Sequence, residues 1–329
     1  MRTRTTPLTD RLATDPLRWI RPTALLTAPR GREDTAGMTT APAHLLIGHR
    51  GAAGVAPENT VAAFEVARSS GAQFFELDVQ LSADGVPFAF HDPTPARTTN
   101  AAEVFPGREN DPVTSFTWAE LQRLDTGSSF SGAFRGERIP HFDDAVEVAR
   151  DAIGVFIEIK SPVTSPGIEH IIVERLRSDP RWQRLVRDGR IEVLGFDAAS
   201  NQRFAVLAPE VPLQQLVYRV PDAETLARIS TYAGQVGSNH RWLNAAAVDR
   251  VRAAGLGMSV YTVNAERNFN RMVALGVDRI TTDFPVEFSR KHPATGGHAG
   301  AVRLRRRSPD RTRAAAALPC HRGSVRSRP

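Results

Sequence analysis

The chain is short of cysteine, of lysine and of long apolar runs, and each shortage removes a class of explanation. Its single cysteine, Cys320, lies in a terminal arm, so one chain can build neither a disulfide framework nor a thiolate zinc site. No run of about 18 apolar residues exists, so no segment is expected to span a bilayer. The start of the chain lacks the unbroken apolar core of a signal peptide, because the stretch from Ile20 to Ala28 is interrupted by Arg21 and Pro22. A cytoplasmic protein is the expectation. No glycine-rich dinucleotide turn of the required form follows the first expected strand, which argues against a nucleotide-binding open sheet.

The formal charge of +6 would suggest a nucleic-acid or membrane partner if it were spread over the chain. It is not. Residues 1–37 carry seven Arg against four acids, and residues 303–329 carry nine Arg against one. The stretch between them is left mildly acidic. Both ends lack a sustained hydrophobic period and read as disordered. The expected organisation is a disordered extension over 1–40, one globular unit over 41–291 and a disordered basic tail over 292–329. Translation from Met38 would fit the same boundary. The tail could touch an anionic surface, but no obligate nucleic-acid partner is expected.

What fills 41–291 is alternation. Leu45–Gly48, Phe74–Leu81, Gly154–Lys160, Ile191–Phe196, Leu213–Tyr218, Gln235–Gly237, Met258–Val263 and Asp278–Thr282 read as strands. Helical periods fall between them at 60–70, 142–150, 167–177, 200–207, 223–231, 245–254 and 265–275. Eight such units in about 250 residues give an α/β fold, a single-domain (β/α)8 TIM barrel with a small hairpin and loop insertion after strand two.

The hairpin concentrates the chemistry. Asp84-Gly85 is a tight-turn signal, and too few residues separate Phe74–Leu81 from Val86–His91 for a parallel crossover, so the return is antiparallel. A two-residue turn there sets Asp78 opposite His91, with Glu76 on the same face. Two acids and an imidazole would make a costly core. They suit a metal-assisted acid–base site.

Polar residues recur at strand ends. His49 and Arg50 end strand one, Glu76 and Asp78 lie on strand two, and Glu158 and Lys160 end strand three. Asp197, Asn264 and Asp283 follow strands four, seven and eight. Barrel active sites gather at this C-terminal rim. With 42 basic residues and lysine only at 160 and 291, the other forty are arginine, so Lys160 beside a strand-end glutamate implies that a compact ammonium is needed there.

Glu76, Asp78 and Glu158 supply oxygen ligands only, which fits one divalent cation, calcium or magnesium, better than zinc. His49 and His91 remain as a pair of proton-transfer groups, with Arg50 and the cation to absorb charge on phosphate oxygens. The set fits in-line attack on a phosphodiester. His44, His141, His170 and the tail histidines lack such company, and His240 is a minor substrate-contact candidate. Asn59 reads as a helix N-cap close to the rim.

The motifs H-R-G (49–51), P-E-N-T (57–60), E-L-D-V (76–79), D-G (84–85), H-D (91–92), R-T-T (97–99), E-I-K (158–160), V-Y-T-V-N (260–264) and T-D-F-P (282–285) stand in one order. Over residues 45–288 the chain resembles the glycerophosphodiester phosphodiesterase family. The resemblance implies metal-dependent hydrolysis of a small glycerophosphodiester to an alcohol and sn-glycerol 3-phosphate. The alternative is a phospholipase-type enzyme acting on intact phospholipid. The resemblance further implies that His49 and His91 are the acid/base pair, that Glu76, Asp78 and Glu158 bind the metal, and that Arg50 and Lys160 contact phosphate. Asn59, Phe196 and Tyr261 are possible pocket residues, Tyr261 standing where the family often has Trp.

Overall fold

The computed structural model describes residues 44–292. The expectations for 1–40, for Met38, for Cys320 and for the basic tail from 293 onward lie outside the described residues. Nine strands form one sheet: β1 Leu45–Gly48, β2 Phe74–Leu81, β3 Pro87–Ala89, β4 Gly154–Ile159, β5 Ile191–Gly195, β6 Leu213–Val217, β7 Gln235–Asn239, β8 Gly257–Tyr261 and β9 Arg279–Thr282. β1 pairs in parallel with both β9 and β2, which closes eight strands into a barrel and leaves β3 as an antiparallel appendage on β2. This is the expected (β/α)8 barrel.

The helices are α1 Val61–Ser70, α2 Ala101–Val104, α3 Trp118–Leu121, α4 Phe142–Ala149, α5 Ile168–Ser178 and α6 Pro180–Arg187. They continue as α7 Ala198–Leu207, α8 Ala223–Ile229, α9 Ala245–Ala253, α10 Glu266–Ala274 and α11 Pro285–Lys291. α2, α6 and α11 have no counterpart in the sequence reading. The last two begin with proline at the first helical position, where the missing N–H costs nothing. His292, assigned to the tail on sequence, stacks on Phe269 with ring centroids 4.3 Å apart. No helix among the described residues is long and apolar enough to cross a membrane.

Strand alternation divides β2 between two environments. Phe75, Leu77, Val79 and Leu81 face the helices and join the main core. Phe74 points inward and meets Phe156 at 4.9 Å, in a plug completed by Ile47, Leu194 and Leu216. The buried Glu192–Arg279 ion pair also lies inside the barrel. The interior is therefore packed, and the inward residues further along the strands, Glu76 and Asp78, emerge above that plug.

The hairpin register differs from the expected one by a single residue. Val79 pairs with Ala89, and the Phe90 N–H donates to the Asp78 carbonyl at 2.9 Å, so Asp78 faces Phe90 instead of His91. The loop has three residues, Ala83–Gly85, closed by the Ser82 N–H on the Val86 carbonyl, with Gly85 at φ 79°. The Ser82 hydroxyl holds this longer turn by accepting from the Val86 N–H and donating to Asp84. A one-residue slip normally sends a side chain to the other face. Here β3 ends at Ala89, and Gln80 takes over: its carboxamide donates to the carbonyls of Phe90 (2.8 Å) and Asp92 (3.1 Å). His91, held between those two carbonyls, still lines the same cavity as Glu76.

The excursion between β3 and α4 forms its own small core around Phe88, Phe90, Phe105, Phe116 and Ile139. It packs beside the barrel mouth.

Gly51 fixes how strand one delivers its residues. Its φ is 85°, its N–H donates to the Glu76 carbonyl at 3.0 Å, and an added Cβ would lie 2.5 Å from the Ala63 backbone. Gly51→Ala meets both the left-handed backbone and a rigid neighbour. It should destabilise by more than about 1 kcal/mol. The urea midpoint measures this, and a midpoint equal to that of the unaltered protein would contradict the assigned backbone.

Candidate active site

Beyond β1 the chain turns back with both Arg50 (φ 49°) and Gly51 left-handed, and Arg50 donates its own N–H to Glu76 Oε2 at 2.8 Å. The Arg50 side chain is mostly buried. It donates to Glu58 at 2.7 Å, and its Nε stands 3.5 Å from Asp78. Asn59 does not cap α1. Thr60 does, accepting from the Ala63 N–H, while Asn59 sits at φ 54° and turns to β2. There it donates to Asp78 Oδ2 at 2.8 Å and accepts from the Asp78 N–H at 3.1 Å. A polar residue before a helix usually caps it; here the neighbouring threonine takes that role and frees Asn59 to orient a carboxylate. Asn59 lies behind Asp78 and is not among the cavity-lining residues.

The parallel register of β2 and β4 places Asp78 beside Glu158. Oxygens of Glu76, Asp78 and Glu158 all lie within 4.8 Å of one another, and all three residues are buried. Lys160 Nζ donates to Glu158 at 2.9 Å and stands 3.3 Å from Asp78. Burial, reinforced by the charges of Asp78 and Glu158, holds the Glu76 carboxyl well above its ordinary range. Glu158 is pushed up to about 7, first by burial and then by Asp78, with Lys160 opposing. For Asp78 burial acts in the same upward direction, but Lys160, Arg50 and His91 together with the Asn59 hydrogen bond outweigh it and hold it well below. Three buried carboxylates this close cannot all carry charge without a cation. Glu76 Oε1 is buried with no hydrogen-bond partner among the described residues. An orphaned hard oxygen in an all-carboxylate cluster fits a calcium or magnesium ion, and the residues present pass that test.

Each of the two rim histidines is anchored through Nδ1. For His49 the anchor is Asp283, at 2.6 Å, and Asp283 is itself held by the Asn264 side chain. For His91 it is Asp92, at 2.7 Å. A carboxylate on Nδ1 selects the tautomer that leaves Nε2 free to exchange a proton. Burial also lowers the His91 imidazole below its ordinary value, against the pull of Asp78. Asp92 is bonded in turn by Arg97, which reaches Glu58 through both terminal nitrogens at 2.9 and 2.7 Å. A continuous polar chain thus joins His91 to Arg50. Glu58, Asp92 and Arg97 sit in motifs visible in the sequence, but only the folded contact between Arg97 and Glu58, 39 residues apart, discloses their positioning roles.

These side chains surround one cavity of about 470 Å³. His49, Arg50, Glu76, His91, Glu158 and Lys160 line one side, and Phe196, Tyr218, His240 and Tyr261 line the other. Of the residues expected at the site, eight line this cavity directly, Asp78 adjoins it through Glu158, Lys160 and His91, and Asn59 supports Asp78. Tyr261 bonds its hydroxyl to the Val217 carbonyl at 2.8 Å and lies edge-on to Phe196 at 6.0 Å, so its ring faces the cavity. Asp197, expected with the rim set, instead caps α7 by accepting from the Ser200 N–H.

Residues 49–287 match the model of the glycerophosphoryl diester phosphodiesterase family. The chain is 36% identical over 245 residues to YhdW of Bacillus subtilis, covering 73% of this chain and 94% of that protein. It is 33% identical over 249 residues to a glycerophosphodiester phosphodiesterase of Caldanaerobacter subterraneus subsp. tengcongensis, covering 73% and 94%. Among solved structures, an Oleispira antarctica phosphodiesterase in complex with its product sn-glycerol-3-phosphate superposes with a TM-score of 0.67 at 28% identity, over 75% of this chain and 96% of that one.

Proposed function

This chain belongs to the glycerophosphoryl diester phosphodiesterase family, a family of hydrolases, and we propose that it cleaves small glycerophosphodiesters with a divalent cation and a pair of histidines. The observation that carries the reading is the placement of a triple-carboxylate cluster and two Nδ1-anchored imidazoles around one cavity. The products are an alcohol and sn-glycerol 3-phosphate, the compound held by the Oleispira enzyme.

Glu76, Asp78 and Glu158 would hold the cation, calcium or magnesium. Such an ion, when bound, draws charge from the nonbridging phosphate oxygens. Arg50 and Lys160 are the cations this chain itself brings to the same oxygens. The attacking hydroxyl gives its proton to Nε2 of one histidine as the new P–O bond forms. The other, as imidazolium, donates a proton to the departing alkoxide as the old P–O bond breaks. Proton bookkeeping is the same for attack by water and by the glycerol 2-hydroxyl. The latter closes a cyclic phosphate that water then opens with the two imidazoles in exchanged roles. Asp283 and Asp92 keep both rings in the useful tautomer throughout.

The test is release of glycerol 3-phosphate and free alcohol in equal amounts from a panel of glycerophosphodiesters. A chelator should abolish it, and calcium or magnesium should restore it. Turnover indifferent to chelation would remove the cation from the scheme; no turnover on any diester would remove the activity.

A further inference from the structure

The cavity has two chemically different walls. The wall already described carries the reacting groups. The opposite wall is built from the C-terminal ends of β6, β7 and β8 and includes Tyr218, Asn239, His240, Arg241 and Tyr261. No carboxylate occurs on that second wall. The only acids lining the cavity are Glu76 and Glu158, both in the cation cluster.

His240 is buried on all sides except the cavity. Its Nδ1 lies 3.3 Å from the Tyr261 carbonyl, and Arg271 grips its own carbonyl at 2.6 Å. A carbonyl only accepts, so Nδ1 carries the proton and donates to the backbone, and burial lowers the ring's affinity for a second one. Nε2 is then a lone-pair acceptor open to the cavity, a group suited to a hydroxyl and useless to a methylated ammonium. Asn239 has its carboxamide oxygen occupied by the Arg241 N–H at 3.0 Å, which leaves its NH2 as a donor. No carboxylate pairs with the Arg241 guanidinium among the described residues, and a second arginine, Arg219, lies over the neighbouring Trp242 ring at 3.7 Å.

Aromatic rings can also bind quaternary ammonium groups, and three line this cavity, Phe196, Tyr218 and Tyr261. Phe196 packs against Tyr218 at 5.0 Å and against Tyr261 at 6.0 Å. The rings are partly spent on one another, and a cation among them would face Arg241, while the carboxylate nearest Tyr261, Glu158, belongs to the cation cluster.

We propose that the ends of β7 and β8 form the head-group subsite, in which His240, Asn239 and Arg241 select polyol or anionic alcohols over choline- and ethanolamine-type alcohols. The inference rests on the hydrolase reading above and deepens it. Specificity here works partly by repulsion, as an unpaired positive charge set against the wrong substrate.

The experiment compares kcat/KM for glycerophosphoinositol and glycerophosphoglycerol with that for glycerophosphocholine, in the unaltered protein and in Arg241→Glu, Arg241→Gln and His240→Phe. The unaltered protein should favour the polyol diesters by about tenfold or more. Arg241→Glu should shrink that ratio by about fivefold or more, mainly by raising the choline rate, with Arg241→Gln between the two. His240→Phe should raise KM for the polyols while sparing glycerophosphocholine. A choline diester cleaved as well as the polyols, or a ratio unmoved in both Arg241 variants, overturns the subsite. Failure to cleave any diester would instead overturn the hydrolase reading on which it stands.

Discussion

Replacing His91 with alanine should lower kcat/KM for any glycerophosphodiester by about 10²–10⁴-fold, the usual contribution of one positioned proton-transfer group. His49→Ala should do the same. The two imidazoles are about a quarter exposed and belong to no hydrophobic cluster, so neither change opens a cavity in the core. The thermal midpoint should therefore stay close to that of the unaltered protein, which separates lost chemistry from lost fold. Asp283→Asn and Asp92→Asn provide the finer reading. Each keeps a polar anchor near Nδ1 but removes the carboxylate that fixes the ring's tautomer and orientation, so each should fall between the unaltered protein and the matching alanine variant. Near-normal turnover in both alanine variants would exclude the two-histidine scheme, whatever happened to the aspartates.

Much of this site is legible in the sequence because barrel topology converts strand order into proximity. Once Leu45–Gly48, Phe74–Leu81 and Gly154–Lys160 are recognised as parallel strands, polar residues at their ends must share one rim. Alternation then sends Glu76 and Asp78 inward together. The hairpin shows where such reasoning fails. Asp84-Gly85 signals a turn, but only the bonds from Ser82 to Val86 and Asp84 establish that its loop has three residues. A period-2 argument has no tolerance for that difference. His91 reached the expected cavity for another reason, the Gln80 carboxamide clamping the carbonyls on either side of it. Asn59 illustrates a second limit. Local preference made it a cap, whereas a long-range bond to Asp78 fixed its actual orientation. The Asp92–Arg97–Glu58–Arg50 chain is of the same kind, made of side chains whose partners are distant in sequence and close only after folding.

The carboxylate cluster gives the second large expectation, and its sign follows from the two raised carboxyls. An acid whose folded value exceeds its ordinary one binds protons more tightly in the native state. Its contribution to stability is complete below the ordinary value and is lost as pH rises through the folded value, about 7 for Glu158. Without a cation the protein should thus lose stability between about pH 5 and 8, as Glu76 and Glu158 are forced to ionise beside Asp78. Calcium or magnesium reverses this by replacing the protons. The gain in thermal midpoint on adding the ion should be small at pH 5 and large at pH 8. At 100 times its dissociation constant a ligand adds about 2.7 kcal/mol, or roughly 5–10 °C for a domain of this size. Glu158→Gln separates ligation from repulsion. It removes one ligand and one like charge, while Lys160 keeps Asp78 as a partner at 3.3 Å. The cation-free variant should be at least as stable as the unaltered protein at pH 8, respond little to added ion, and lose activity by about 100-fold or more. A stability trade of that kind is what an evolved ion site predicts, because the acids are kept together for binding at a cost to the empty fold. A midpoint that rises with calcium or magnesium equally in both proteins would place the ion elsewhere.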